Sequence, residues 1–145
     1  MSTESTLLQQ QELNKFLRNI SPSLKFEVNL FIYSHMVRHN PIISQTINES
    51  AKLQKDITDF MVTRFKTVLF GPEDIIIEHG EKSNDLYFIA RGQCGIYIRN
   101  QIKRDYKMRC LLRHGDHFGE IGAIFNCRRT MRVTSSKYST LAKME

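Results

Sequence analysis

The sequence predicts an α+β protein: an antiparallel, jelly-roll-like β-roll preceded by short helices. Three observations carry this. Apolar residues recur at helical spacing through the first part of the chain. From Thr67 the period changes to short β runs separated by Gly or polar turns about every ten residues. A length of 145 residues, 41% of them hydrophobic, suits one domain with a real core and a helical appendage.

Taken in order, Met1 to Gln11 is polar, and residues 1–12 read as a flexible N-terminus. Leu13, Phe16, Leu17 and Ile20 then share one helical face. Ser21-Pro22 reads as a cap followed by proline at the first helical position. The next helix is expected to run to about Arg38, with Leu24, Val28, Phe31 and Ile32 on its apolar side, and Pro41 closes it. Residues 13–40 thus form a helical linker whose apolar stripes need a partner. Ser44 to about Lys66 reads as helical, with Ile47, Ala51, Ile57, Phe60 and Met61 as buried candidates. Strand-like runs follow at Val68–Phe70, Ile75–Ile77, Leu86–Ile89, Ile96–Ile98 and Met108–Leu112, with a turn at Gly71–Asp74 and a charged hairpin loop from Asn100 to Tyr106. Val133 and Leu141 mark the last strand pair. Tyr87 and Phe88 read as core, and Cys94 and Cys110 as buried structural thiols.

The stretch from Phe118 to Val133, Phe-Gly-Glu-Ile-Gly-Ala-Ile-Phe-Asn-Cys-Arg-Arg-Thr-Met-Arg-Val, is the candidate site. Gly119 lets the backbone turn tightly and approach a ligand. Residues 120–125 can make one or two helical turns, whose first N–H groups lack partners and point at an anion. A guanidinium about ten residues later can return and grip a phosphate with two parallel bonds. Glu120 sits badly beside a phosphate unless it bonds something else, and a ribose hydroxyl is the natural donor. The pattern points to a small phosphate ester carrying a sugar. A lone Phe-Gly-Glu is also an ordinary loop sequence, and a basic run an ordinary solvated face.

Phe-Gly-Glu-Ile followed by Arg-Arg-Thr resembles the phosphate-binding cassette of cyclic-nucleotide-binding domains, and the agreement extends beyond it. Gly80 in Ile-Glu-His-Gly-Glu, Gly92 in Tyr-Phe-Ile-Ala-Arg-Gly and the run Gly-Asp-x-Phe-Gly-Glu stand where that family has them. The Glu120–Arg129 spacing is like that of protein kinase A regulatory subunits, and the Arg-Arg-Thr ending is more like that of cyclic-nucleotide-gated channels. Asn14 to Val28 and Asn40-Pro41-Ile42-Ile43 loosely resemble the channel linker and its junction. Ala123 and Arg132 depart from the usual pattern without removing a ligand group, and 44–66 looks longer than usual. The resemblance implies that Glu120 binds the ribose 2′-hydroxyl, Arg129 the cyclic phosphate, and Thr130 a phosphate or guanine. Phe118, Gly119, Glu120, Ile121, Gly122, Arg128, Arg129 and Thr130 are the expected ligand-binding residues. It also implies that 41–145 is the nucleotide domain without the lid helix that follows the roll in the family.

Composition bounds the alternatives. A net charge of +6 fits an anionic ligand, while the basic residues are scattered and no aromatic stacking run accompanies them, against a nucleic-acid surface. Three cysteines without Cys-x-x-Cys spacing read as free thiols in a reducing cytosol. A metal site at His114, His117 and Glu120 is disfavoured, because His-x-x-His does not share a strand face. No residue reads as catalytic, no cofactor is expected beyond cAMP or cGMP as ligand, and no stretch of the chain spans a membrane. The expected function is the cyclic-nucleotide sensor of a gated ion channel, cytoplasmic or at the cytosolic face of a membrane and tethered to the channel, assembling as a homo-oligomer through residues 13–40. A kinase regulatory subunit fragment, without the expected Arg-Arg-x-Ser segment, and a roll that no longer binds nucleotide stand as alternatives. A bacterial-type transcription regulator would need a helix-turn-helix after the roll.

Overall fold

A computed structural model describes residues 4–41, 44–45 and 50–145. The helices described ahead of the strands include α1 (Glu4–Asn19), α2 (Pro22–His39) and α3 (Ala51–Arg64). Eight strands follow: β1 (Lys66–Phe70), β2 (Ile75–Ile77), β3 (Leu86–Arg91), β4 (Gln93–Arg99), β5 (Tyr106–Arg113), β6 (His117–Phe118), β7 (Arg132–Ser135) and β8 (Ser139–Met144). A short helix, α4 (Glu120–Phe125), interrupts them between β6 and β7. The strands form two antiparallel four-stranded sheets, ordered β1-β8-β3-β6 and β2-β7-β4-β5. The expected α+β roll with helices in front is the fold observed.

Strand β3 explains how the helices and the roll become one body. Its run Leu-Tyr-Phe-Ile-Ala is apolar at every position, so both faces must be covered. Tyr87 and Ile89 face the space between the sheets, with Ile77, Cys94, Ile96, Phe118, Val133 and Leu141. Phe88 faces the other way, into a second core with Tyr33, Met36 and Val37 of α2 and Met61, Val62 and Phe65. Tyr33, Met36 and Val37 are wholly buried there, and burying side chains of this size contributes roughly 1.5–3 kcal/mol each. The Tyr33 hydroxyl bonds the Thr67 hydroxyl, and burial pushes the phenol pKa up to about 12.

Caps set the helix boundaries. Ser21 Oγ accepts from Leu24 N at 3.2 Å, with Pro22 at the first position. Ser50 Oγ accepts from Leu53 N at 3.4 Å at the start of α3.

Several expectations are corrected. Residues 4–12 are helical, not frayed: Thr6 is buried, and Gln10 pins α1 to β1 by donating to Thr67 O (3.1 Å) and accepting from Leu69 N (2.7 Å). The buried face of α2 carries Phe26, Leu30, Tyr33, Met36 and Val37, while Phe31 is 87% exposed and Leu24 and Ile32 are also exposed. This helix has two apolar stripes, and the one with the larger continuous set takes the core. On α3, Ala51 and Phe60 are exposed, the latter beneath the Arg64 guanidinium at 3.9 Å, and Val62 with Phe65 does the packing instead. Ile47, Ile42 and Ile43 lie outside the described residues. Val133 and Leu141 sit on strands of opposite sheets, so they are not a pair. Cys94 is buried, but Cys110 is exposed because β5 is an edge strand with both faces largely open.

Histidines clasp α2 to the roll. His35 and His39, one turn apart, stack at 4.0 Å, and His35 Nδ1 lies 3.3 Å from Nε2 of His114 in the β5–β6 turn. The positive charge of His39, then burial, then His114 and Arg38 hold the His35 pKa below its ordinary 6.5. The folded protein therefore binds this proton less readily than the unfolded chain, so the contribution of this group is absent above pH 6.5 and destabilises the fold as pH falls below it. The melting temperature should fall between pH 7.5 and 5.5, and less steeply in His35→Gln; identical slopes would remove His35 from the effect.

Candidate functional site

The cleft lies at the open end of the inter-sheet core, where β6 turns into α4. Gly119 caps α4 with φ +95°, a left-handed conformation, and a Cβ there would stand 2.7 Å from Asp85 O. All eight expected site residues line this one cleft: Phe118, Gly119, Glu120, Ile121, Gly122, Arg128, Arg129 and Thr130. Ile77, Ile96, His117, Met131 and Val133 join them. Phe118 is buried and stacks on Tyr87 at 5.2 Å, so it forms the floor.

Arg129 is the centre of the site. It is only 5% exposed. Its main chain is clamped to the β2–β3 loop by Arg129 N→Glu81 O (2.8 Å) and Gly80 N→Arg129 O (2.7 Å). Its guanidinium passes under α4: Nη1 donates to Gly119 O at 2.9 Å, and Nη2 to Asp85 O at 2.6 Å and Ser83 Oγ at 3.3 Å. No carboxylate of a described residue lies within ion-pair distance of it. Its Nε is the one buried side-chain nitrogen or oxygen without a hydrogen-bond partner among the described residues. A buried guanidinium with neither counterion nor a partner for Nε is costly, and an anion in the cleft would relieve both deficits.

The neighbours divide as alternation on an extended segment requires. Arg128 is exposed and turns out to Gly80 O at 3.0 Å. Thr130 is exposed at the cleft wall. Glu120 is half-buried, and its carboxylate makes no hydrogen bond or ion pair with a described residue. Arg132, the departure from the family pattern, leaves the cleft for the outer face: its Nε meets Glu78 Oε1 at 2.9 Å and its guanidinium lies 3.7 Å over the Tyr106 ring. That hydrogen bond is the main reason Glu78 is held below the usual carboxylate range. His114 and His117 go to different partners, His117 Nδ1 meeting Asn40 Nδ2 at 2.9 Å, so they do not converge with Glu120. Among the described residues no His, Cys, Asp and Glu cluster could hold a metal.

Sequence reasoning missed the loop that holds Arg129. Ser83 and Asp85 supply two of its partners, and Lys143 of β8 fixes Asp85 by an ion pair at 3.3 Å. The only signal was Gly80, whose position marked a turn without revealing that the turn clamps the arginine.

Comparison with known proteins follows the same geometry. The sequence model of the family described as cyclic nucleotide-binding domain matches residues 67–145, from β1 to the last residue. The human potassium/sodium hyperpolarization-activated cyclic nucleotide-gated channel 3 is 26% identical over 125 residues, 86% of this chain and 14% of the channel. The chain therefore spans about one seventh of that relative's length. Among solved structures, the regulatory domain of Toxoplasma gondii protein kinase A with cAMP has a TM-score of 0.70 at 17% identity, covering 82% of this chain and 43% of that one. A mutant regulatory subunit of a cAMP-independent protein kinase A from Trypanosoma brucei, bound to cAMP, gives 0.69 at 21%, covering 82% and 41%. No described helix is long and apolar enough to cross a membrane.

Gly122 supplies a test of this packing. A Cβ there would lie 2.7 Å from Arg129 Nη1 and 3.1 Å from Ser83 O. Helix propensity alone would make Gly122→Ala stabilising by up to about 1 kcal/mol. The buried guanidinium cannot yield without breaking its own bonds, so the variant should instead lose about 1–3 kcal/mol in thermal or urea unfolding. A more stable Gly122→Ala would show that Arg129 is not held as described.

Proposed function

The chain belongs to the cyclic nucleotide-binding domain family, and from that premise we propose that its cleft binds cAMP or cGMP as the regulatory sensor module of a cyclic-nucleotide-gated ion channel. The observation that carries the binding is the Arg129 Nε: a buried, unpartnered donor on an unpaired cation in the cleft. The cyclic phosphate takes it. Glu120 accepts from the ribose 2′-hydroxyl, which gives its free carboxylate a donor and keeps it off the phosphate. Thr130, at the rim, bonds the 2-amino group of guanine in the syn form and tilts the preference toward cGMP. Nothing in the arrangement needs a reaction; binding is the output.

The match supports a channel over a kinase subunit. The channel relative aligns over 125 residues, and 67–145 accounts for only 79 of them, so the likeness reaches into the helices. The kinase subunits share the fold at identities that speak to the fold alone. In this reading the module lies on the cytosolic side of a membrane, tethered to the pore. Exposed Phe16, Leu24, Phe31 and Ile32 on α1 and α2 give it a surface for an equivalent subunit.

Calorimetric titration tests the nucleotide assignment. Bonds to charged groups contribute about 1.5–3 kcal/mol, so Arg129→Ala should weaken binding roughly 10- to 150-fold, while Arg128→Ala changes little. Arg129→Lys, checked for thermal stability, separates lost contact from lost fold. A 2′-deoxy cyclic nucleotide should bind wild type less tightly than its parent and show no further loss in Glu120→Ala. Thr130→Val should reduce a cGMP preference. A larger effect of Arg128→Ala, or a full 2′-deoxy penalty surviving in Glu120→Ala, would overturn the assignments, and a strong cAMP preference would overturn the role of Thr130. Sedimentation of the whole chain with Phe31→Ser tests assembly: self-association should weaken, and a wild type that stays monomeric at all concentrations would refute it.

A further inference from the structure

The β4–β5 hairpin holds most of the chain's net charge. Its six cations are Arg99, Lys103, Arg104, Lys107, Arg109 and Arg113, and its one carboxylate is Asp105, so the stretch carries +5 where the whole chain carries +6. All six cations are exposed, and none takes part in an ion pair among the described residues. At the tip stands Ile102, 93% exposed, the most exposed large apolar side chain among the described residues. It is not isolated, since Ile98, Met108 and Leu111 on the two strands are exposed as well. The tip is closed by its own bonds. Asn100 Oδ1 accepts from Ile102 N at 2.9 Å and from Lys103 N at 3.2 Å. Asn100 N donates to Asp105 O (2.8 Å) and Arg104 N to Asn100 O (2.9 Å). Arg99 and Lys107 stand on neighbouring rungs of the β4–β5 ladder, opposite Tyr106 and Ile98, so they flank the tip on both faces of the sheet. β5 is the last strand of its sheet, and no described strand pairs with its outer edge. None of these residues lines the nucleotide cleft.

We propose that this hairpin docks tip-first on the surface of an anionic phospholipid bilayer. Ile102 enters the boundary between headgroups and acyl chains. Arg99, Lys103, Arg104 and Lys107 lay their aliphatic stems against that boundary and keep their charges among the phosphates. Two observations favour a bilayer over other anionic partners. An acidic polypeptide added to the β5 edge would neutralise the cations but leave Ile102, beyond the end of the ladder, in water. A nucleic acid would stack its bases on exposed rings, and Tyr106 at the end of the hairpin is already covered by the Arg132 guanidinium at 3.7 Å. One apolar side chain and a few cations give reversible binding, so the hairpin orients the domain on a membrane and does not anchor it. The docking uses no residue of the cleft, so it holds whether or not the cleft takes a nucleotide.

The test is sedimentation of the whole chain with vesicles of phosphatidylcholine alone and of phosphatidylcholine mixed with phosphatidylserine. The chain should be retained on the mixed vesicles only, and less so at high salt. Each basic residue at an anionic surface contributes about fivefold in partitioning, so Lys103→Gln combined with Arg104→Gln should weaken retention about 25-fold. Ile102→Ser should weaken it severalfold without changing its salt dependence. These positions are exposed, so the fold should survive, and an unchanged melting temperature will show it. Lys52→Gln combined with Lys55→Gln removes the same charge from exposed positions on α3 and should leave retention nearly unchanged. An equal loss in this control, undiminished retention in either hairpin variant, or equal retention on both kinds of vesicle would overturn the proposal. So would retention on neither. Soluble polyglutamate covers the other partner class: if it shifts the Lys107 and Arg109 amide resonances while the mixed vesicles retain nothing, the hairpin takes an acidic polypeptide and not a bilayer.

Discussion

The structure depends on one arrangement: a guanidinium buried without a carboxylate. Arg129 is held by two backbone carbonyls and one hydroxyl, from the β2–β3 loop and the N-cap of α4. Carbonyl dipoles make the buried charge tolerable but do not neutralise it. The charge therefore remains available to an anion while its position is already fixed. Preorganisation of this kind lowers the ordering cost of binding. It also explains the two glycines of the cassette: a side chain at Gly119 or Gly122 would enter the space that the guanidinium or the Asp85 carbonyl already fills.

The same arrangement ties the cleft to the rest of the chain through β3. Asp85 sits at the entrance of that strand, bonded to Arg129 on one side and Lys143 on the other. Tyr87 stacks on Phe118 beneath the cleft, and Phe88, the next residue, packs among the helices. A strand covered on both faces cannot move on one without disturbing the other. A displacement at the cassette therefore has a short packed route to α2 and α3, through Asp85, β3 and the Tyr33–Phe65–Phe88 contacts.

The roll was legible because its signals are local. Strand runs, turn glycines and the cassette spacing are short patterns, and α4 falls on the expected residues 120–125. The eight expected residues share one cleft for the same reason: they fall in two contiguous runs, Phe118–Gly122 and Arg128–Thr130. What the sequence hid is what long-range packing decides. The buried stripe of α2 could not be chosen from periodicity, since two stripes qualify. The order of α1 comes from Gln10 reaching β1, 57 residues away. Ser83 and Asp85 carry no motif, and their role exists only once the loop folds onto Arg129. Cys110 reads as an interior strand residue until the sheet order places β5 at an edge.

The central claim is that Arg129 Nε is a vacant donor which the ligand's phosphate fills. The ¹H–¹⁵N resonance of that group in the folded chain observes it directly. On saturation with cAMP or cGMP the Nε proton should move downfield and its exchange with water should slow, as a new charge-assisted hydrogen bond requires. An Nε resonance unmoved at saturating nucleotide would contradict the account, because the phosphate would then rest on some other group.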